Sequence, residues 1–470
     1  MITFIICFVL LVASYFIYGK YIEKLFGIDA NQKVPSTTNF DGIDYVPMKK
    51  WKTFLIQLLN IAGLGPIFGA VLGATYGPVA FIWITFGGIF IGAVHDFASG
   101  YISVKLGGLS YTEIINHFLG SKVKIFTNIF IVFLLLLVGA VFMVGPAGLL
   151  DSLTGLNTQI WLFIILAYYF LATLLPIDKI IGKIYPIFGA ALMFMALGLL
   201  FVIFTGNYVV PELSFENMKI DAANFPIIPT LFITIACGAV SGFHATQSPL
   251  MARCINNQKE CKPVFFGAMI AESLIALIWA AIAMTFFGGV LELNMILAER
   301  QWNAAWVVNL IANTALGKIG GFLALIGVIV APITSGDTAF RSARLIVADA
   351  FKINQQKIIK RLMITLSLFV IGYSITLINF AVLWRYFAWL NQSLSVATLW
   401  AATIYLARLK KKYFITMFPA MFMTFIVSDY LFISNQMFGL SSLLGTIFAG
   451  ILTLSLTLYF IFEIKKQSNM

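Results

Sequence analysis

Apolar runs of about twenty residues follow one another from Ile2 to about residue 463, separated by short polar loops. Inside lipid, only a helix or a closed barrel satisfies every backbone N–H and C=O, and runs of this length suit helices. With 61% hydrophobic and only 10% charged residues in a chain of 470, the sequence reads as an all-α, polytopic membrane protein. The first run, Ile2 to Tyr18, is read as a retained helix, because Gly19-Lys20-Tyr21 is a poor cleavage site. The net charge of +11 would suggest nucleic acid in a soluble protein. Here the basic residues cluster in short loops at 20–52, 105–124, 179–183, 253–262, 341–361, 408–412 and 465–466, so no nucleic-acid partner is expected. All seven clusters fall on one side if about thirteen helices start with the N-terminus outside and end with the C-terminus inside.

Two of these runs are broken. Ile61-Ala62-Gly63-Leu64-Gly65-Pro66-Ile67-Phe68-Gly69 places three glycines and a proline within the run 54–75, where a helix should fail. Cys237-Gly238-Ala239-Val240-Ser241-Gly242-Phe243-His244-Ala245-Thr246-Gln247-Ser248-Pro249 interrupts the run 226–250 in the same way. The first break enters its run from the inside and the second from the outside, with four intact spans between them. The expected plan is a leading helix (1–19), a cytoplasmic segment (20–53), a first five-helix unit (54–206), a second, inverted unit (226–407) and two trailing helices (413–463). Paired interruptions in inverted halves point to a transporter's midplane site.

Several longer motifs carry a family resemblance. They are Asp41-Gly42-Ile43-Asp44-Tyr45-Val46-Pro47, the broken stretch Ile61 to Gly73, Gly92-Ala93-Val94-His95-Asp96-Phe97 and Ser241-Gly242-Phe243-His244-Ala245-Thr246-Gln247-Ser248. The last is Ala331-Pro332-Ile333-Thr334-Ser335-Gly336-Asp337-Thr338-Ala339-Phe340-Arg341-Ser342-Ala343-Arg344-Leu345-Ile346. With these the chain resembles a short member of the carbon starvation protein A family. The resemblance implies the amino acid, polyamine and organocation transporter group, a LeuT-like five-plus-five inverted-repeat core, and the bacterial cytoplasmic (inner) membrane. It also implies uptake of pyruvate, peptides or other small carbon and nitrogen sources when nutrients are limiting.

Gly63, Gly65 and Pro66 read either as close helix packing or as an unwound substrate site, and the paired break favours the site. Half-helix N-termini there would face a substrate carboxylate. Ser241, Gly242, His244 and Gln247 at the second break are candidate substrate ligands, or else helix-to-helix glue. His95 and Asp96 lie about 25 Å along their helix from its outer end at 1.5 Å per residue, either as an inner-interface pair or as part of a proton relay. Glu272 lies about 13 Å into its helix, so it should face the bundle interior and is the leading proton carrier. Thr334 and Ser335 could offer oxygens to Na⁺, while Asp337 either joins ion coupling or pairs with Arg341 at i,i+4. Ser110 and Glu113 match a capping box. Cys254 and Cys261 with His244 match no familiar metal spacing, and neither a metal nor another cofactor is expected.

The leading expectation is a secondary active importer of a small carboxylate, pyruvate by resemblance, with protons as coupling ion. Peptide or amino acid uptake and sodium coupling are the alternatives. A channel would need a continuous polar pore, and the polar residues gather at discrete depths instead. No HExxH or GxSxG motif occurs, so no enzyme is expected.

Overall fold

The computed structural model describes residues 1–42, 44–174, 178–206, 208–353 and 358–468. Ile43 of the first motif, the last two residues of the expected span 158–176, residue 207 of the loop after the first unit, and Lys357 of the basic loop lie outside them. Every regular element among the described residues is helical. Nine of these helices are long and apolar enough to cross a membrane, and the bent pair Lys50–Ile61 with Gly65–Ala74 makes ten. The other expected spans correspond to Thr158–Leu174, the interrupted stretch 227–252 and Phe380–Arg408. The leading helix Ile2–Phe16 runs on after a kink into Tyr18–Phe26, so part of the segment expected to be polar surface is helical.

Both breaks are present. At the first, Ala62 leaves helical backbone and the chain resumes at Gly65–Gly69 as a wide π-turn, inclined at 55° to the helix before it. Pro66 has no N–H to continue the ladder, which favours the change of direction. At the second, the helix Phe232–Thr234 ends at Ile235, and a new helix begins at Gly242. This interruption is shorter than the sequence suggested, since Pro249 is accommodated within Gly242–Ala252. Gly238 has φ +93°, a left-handed conformation that only glycine adopts cheaply.

Several carbonyls freed at the second break find side-chain donors, as burial at this depth favours. Trp83 Nε1 donates to Ile235 O at 3.0 Å, Trp384 Nε1 to Thr234 O at 3.4 Å, and Gln392 Nε2 to Phe232 O. The two breaks lie directly on each other. A Cβ built on Gly65 would sit 1.9 Å from the Cβ of Cys237, and one built on Gly238 would sit 3.6 Å from the Cα of Pro66. Gly92, in the span Val79–Lys105, closes the other side: a Cβ there would meet Ala239 O at 2.2 Å. All four cysteines are free and buried, Cys237 among them.

The connecting segments sort onto two faces. On one, Lys262 pairs with Glu23 at 3.0 Å, Lys411 Nζ donates to Phe26 O at 2.8 Å, and Arg253 Nε donates to Gly108 O at 2.9 Å. Four of the expected basic clusters thus meet there. On the other face, the Met1 ammonium bonds Val210 O at 2.9 Å and pairs with Glu212, and Lys219 reaches Thr75. Next to the basic face, Glu113 Oε2 accepts from the Ser110 N–H at 2.8 Å and completes the capping box of Tyr111–Leu119. Ser110→Ala is therefore expected to cost about 1 kcal/mol, read as a lowered unfolding temperature of the detergent-solubilised protein with transport retained.

Candidate functional site

Where the breaks cross, four ionisable side chains from three separate parts of the chain come together, all fully buried. Asp96, on the helix Ala93–Lys105, accepts from two imidazoles: His95 Nδ1–H at 2.8 Å and His244 Nδ1–H at 2.9 Å. The carboxylate has no proton to offer, so it fixes both rings with hydrogen on Nδ1. His244 Nε2 then faces Glu272 Oε2 at 3.4 Å, from the helix Ala268–Phe286. Neither Glu272 oxygen nor the Nε2 of either histidine has a hydrogen-bond partner. The inner-interface reading of His95 and Asp96 therefore gives way: both lie inside the bundle, tied to the second break. A buried carboxylate–imidazole–carboxylate row is costly unless its charges are matched. One proton shared between Glu272 and His244 Nε2 lowers the row's charge from −2 to −1, leaving it on the Asp96 carboxylate that both imidazoles brace.

Beside this row runs a closed ring of hydrogen bonds. The Cys237 thiol donates to Ser241 Oγ at 3.5 Å, the Ser241 hydroxyl donates to Asn391 Oδ1 at 3.0 Å, and Asn391 Nδ2 donates back to Cys237 Sγ at 3.3 Å. Asn391 Oδ1 also accepts from Phe243 N–H at 2.7 Å, holding the start of the helix Gly242–Ala252. Cys237, His244 and Glu272 bring donor atoms within 4.8 Å of one another, a grouping that could hold a metal ion. The ring uses the thiol proton, however, and metals bind the thiolate. Metal binding there would require the Cys237 thiol to lose that proton and the ring to open. Cys237, not Cys254 or Cys261, is the cysteine beside His244.

The remaining sequence candidates divide. Gly63 is packed under Phe142, Gly65 under Cys237, and Gly242 against the backbone of Asn391 and Ser395, so each is a close-approach position. Ser241 is occupied by Asn391. Gln247 is buried with its Oε1 unpaired, and Gln57 Nε2 donates to Ser248 Oγ at 3.3 Å, leaving its own Oε1 unpaired. Thr334 donates to Ala331 O at 2.8 Å within its own helix, and Ser335 Oγ is buried without a partner. Asp337 pairs with Arg341 at 3.4 Å, and Arg341 also donates to Ala172 O at 2.9 Å. Gly336 lies against the Tyr169 hydroxyl, so the contacts of this segment run to the helix Thr158–Leu174. The sequence reading passed over Asn391, Gln392 and the thiol of Cys237. Two adjacent amides in an otherwise apolar run were the available signal for the first two.

Comparison with known proteins yields a consistent set. The chain matches the family described as Carbon starvation protein CstA over residues 1–147 and 144–317. An uncharacterised membrane protein of Haemophilus influenzae is 44% identical over 339 residues, covering 61% of this chain and 91% of that one. A protein named peptide transporter CstA from Bacillus subtilis is 29% identical, covering 59% and 56%. One named pyruvate/proton symporter BtsT from Escherichia coli is also 29% identical, covering 56% and 46%. The chain thus spans about half the length of these two named transporters. Among solved structures, MhsT in complex with L-phenylalanine superposes with a TM-score of 0.57 at 10% identity, over 86% of this chain and 98% of that one. A manganese transporter of Eremococcus coleocola gives 0.53 at 12% identity, over 94% and 99%. At such identities these show the fold alone: a five-plus-five inverted-repeat, LeuT-like core.

Proposed function

The chain belongs to the carbon starvation protein CstA family, and on that footing we propose that it is a secondary active importer of a small carboxylate nutrient, pyruvate-like, coupled to protons. The observation that carries this reading is the buried row Asp96, His244, Glu272 at the crossing of the two breaks. A transporter of this architecture works by separating and rejoining its broken helices around a midplane site. Here a buried pair that can pass a proton between carboxyl and imidazole, Glu272 and His244, lies where that movement occurs. In the loaded state the proton sits on the Glu272 carboxyl. Passing to His244 Nε2, it breaks the Glu272 O–H bond, forms an N–H bond, and leaves an imidazolium braced by Asp96. The start of the helix Gly242–Ala252 offers its dipole to a substrate carboxylate beside this proton. His95 and Asp96 hold the row, and Gln247, one turn on from His244, meets a carboxylate only through its amide N–H groups, since its free oxygen can only accept. Thr334 and Asp337 are assigned to helix packing, because Thr334 bonds Ala331 O within its own helix and Asp337 pairs with Arg341, while Ser335 keeps a buried hydroxyl without a partner.

The face that gathers Lys262, Lys411 and Arg253 is assigned to the cytoplasm by the excess of basic residues there. This assignment supports an N-terminus outside and a C-terminus inside, in the cytoplasmic membrane. The test is counterflow in proteoliposomes with labelled pyruvate, alanine and a dipeptide. Pyruvate is expected to exchange faster than in empty liposomes, and replacing sodium by potassium at fixed pH is expected to leave its rate unchanged. Exchange of the dipeptide alone would overturn the carboxylate assignment in favour of peptide uptake, and loss of exchange without sodium would overturn the proton assignment.

A further inference from the structure

On the face opposite the basic loops, a cavity of about 500 Å³ opens between the two broken spans. Leu72 and Tyr76, which follow the first break, line one side, and Thr230 and Thr234, which precede the second, line the other. Its floor includes Trp384, whose indole packs 3.2 Å from a Cβ built on Gly69 of the first break. Two cations from different parts of the chain face this space. Lys219, from the segment joining the two five-helix units, holds its ammonium 4.0 Å from the Trp302 ring centroid, 5.0 Å from that of Tyr76 and 5.4 Å from that of Phe225. Its one direct hydrogen bond runs to Thr75 Oγ1, at 3.0 Å. Arg385, on Phe380–Arg408, lies 5.7 Å from the Phe225 centroid, and its Nε is buried with no partner.

Neither cation has a carboxylate partner among the described residues. The carboxylate in the lining is Asp221, exposed to solvent and occupied by Asn224 Nδ2 at 3.0 and 2.9 Å. Cations set in an aromatic cage without a counterion are stabilised by an anion between them. We propose that this cavity is a capture site for the free carboxylate of the incoming substrate, whether a small monocarboxylate or the C-terminus of a short peptide, with Lys219 and Arg385 as its cationic ligands. This rests on the import reading above and adds where the substrate is first held. Arg385 supplies a planar fork that matches a carboxylate, and Lys219 supplies a point charge at the mouth. Beneath them the buried rings of Trp384, Phe387, Phe142 and Phe243 follow one another at centroid distances of 5.3, 6.1 and 6.3 Å, ending beside His244. A carboxylate held above this aromatic layer is one step short of the proton-bearing row.

Burial, and secondarily the charge of Arg385, bring the Lys219 ammonium down to about 7. The other titratable groups facing it are Asp221 and the phenols of Tyr76 and Tyr430. Capture should therefore weaken as external pH rises through that range, since a neutral amine attracts no anion. In Lys219→Arg the charge persists and the weakening should disappear, which separates this effect from any pH dependence of coupling.

The experiment uses the full chain in proteoliposomes and a membrane-impermeant amine-acetylating reagent, with Lys219 acetylation read by mass spectrometry in the presence of pyruvate, alanyl-alanine or alanyl-alanine amide. Pyruvate or the free-acid dipeptide is expected to slow acetylation about tenfold at saturation, the amide not at all, and whichever acid protects identifies the source of the carboxylate. In uptake assays, Lys219→Gln and Arg385→Gln are each expected to raise KM for that acid about tenfold with kcat retained, and Arg385→Lys to restore part of the loss. Equal acetylation under all three additions, or an unchanged KM in both glutamine variants, overturns the proposal. Protection needs no translocation. A protein that is protected but carries nothing would refute the import reading and keep this site, while transport without protection would refute the site alone.

Discussion

Glu272→Gln is expected to yield a folded protein that still exchanges labelled pyruvate across a liposome membrane and no longer accumulates it against a proton gradient. Glutamine keeps the shape of the side chain and its contact with His244, and it removes the one proton that the row can pass on. For a single coupled proton, each unit of pH gradient supports about tenfold accumulation, and the variant should lose all of it. Exchange at equal pH needs only that the substrate site open and close with its load, so counterflow should persist. Asp96→Asn is a less clean test, because it keeps an acceptor for only one of the two imidazole Nδ1–H groups now held at 2.8 and 2.9 Å, sets an amide donor against the other, and should weaken the fold as well. A Glu272→Gln protein that accumulates pyruvate as the parent does would remove Glu272 from the coupling path.

The second large effect is steric. Gly65→Ala would drive a methyl group to 1.9 Å from the Cβ of Cys237, so one of the two breaks has to move. Overpacking of this kind costs about 1–3 kcal/mol, occasionally more, and should appear as a lowered unfolding temperature together with lost transport. Adding Cys237→Gly removes the obstructing atoms and leaves the Cα of residue 237 at 3.3 Å, a tight but tolerable contact. The double variant is therefore expected to regain stability relative to Gly65→Ala alone, although Cys237→Gly by itself removes the thiol from its hydrogen-bonded ring. Strictly additive losses in the two variants would mean that the breaks do not touch in the working protein.

The breaks were legible because glycine and proline act locally: their effect on a helix follows from the residues themselves. The interior placement of Glu272 was legible for a similar reason, since a carboxyl group that far into an apolar run has few other places to go. Partnership was not legible. Asp96 and His244 are 148 positions apart, and no periodicity in either segment states that they meet. Nothing in the sequence pairs Lys219, which lies in a loop with Glu212, Glu216 and Asp221, with Arg385 in an apolar run, because their shared cavity is formed only when the two broken spans cross. Thr334 and Ser335 are answered differently by the folded chain. A hydroxyl pair next to Pro332 resembles a cation ligand in sequence, and in the folded chain Thr334 bonds Ala331 while its neighbour Gly336 packs on Tyr169. Ser335 alone keeps a free oxygen.

The burial of all four thiols makes the native chain its own reporter of motion. Cys7, Cys237, Cys254 and Cys261 are between 0% and 6% exposed, so a maleimide should label the resting protein slowly. Of the four, only Cys237 is sealed by the opposite break, at the seam that must part for a solute to pass. Its alkylation rate should therefore rise when substrate is cycling and fall when Glu272→Gln is held without a counter-substrate, giving a readout of gating that needs no engineered cysteine.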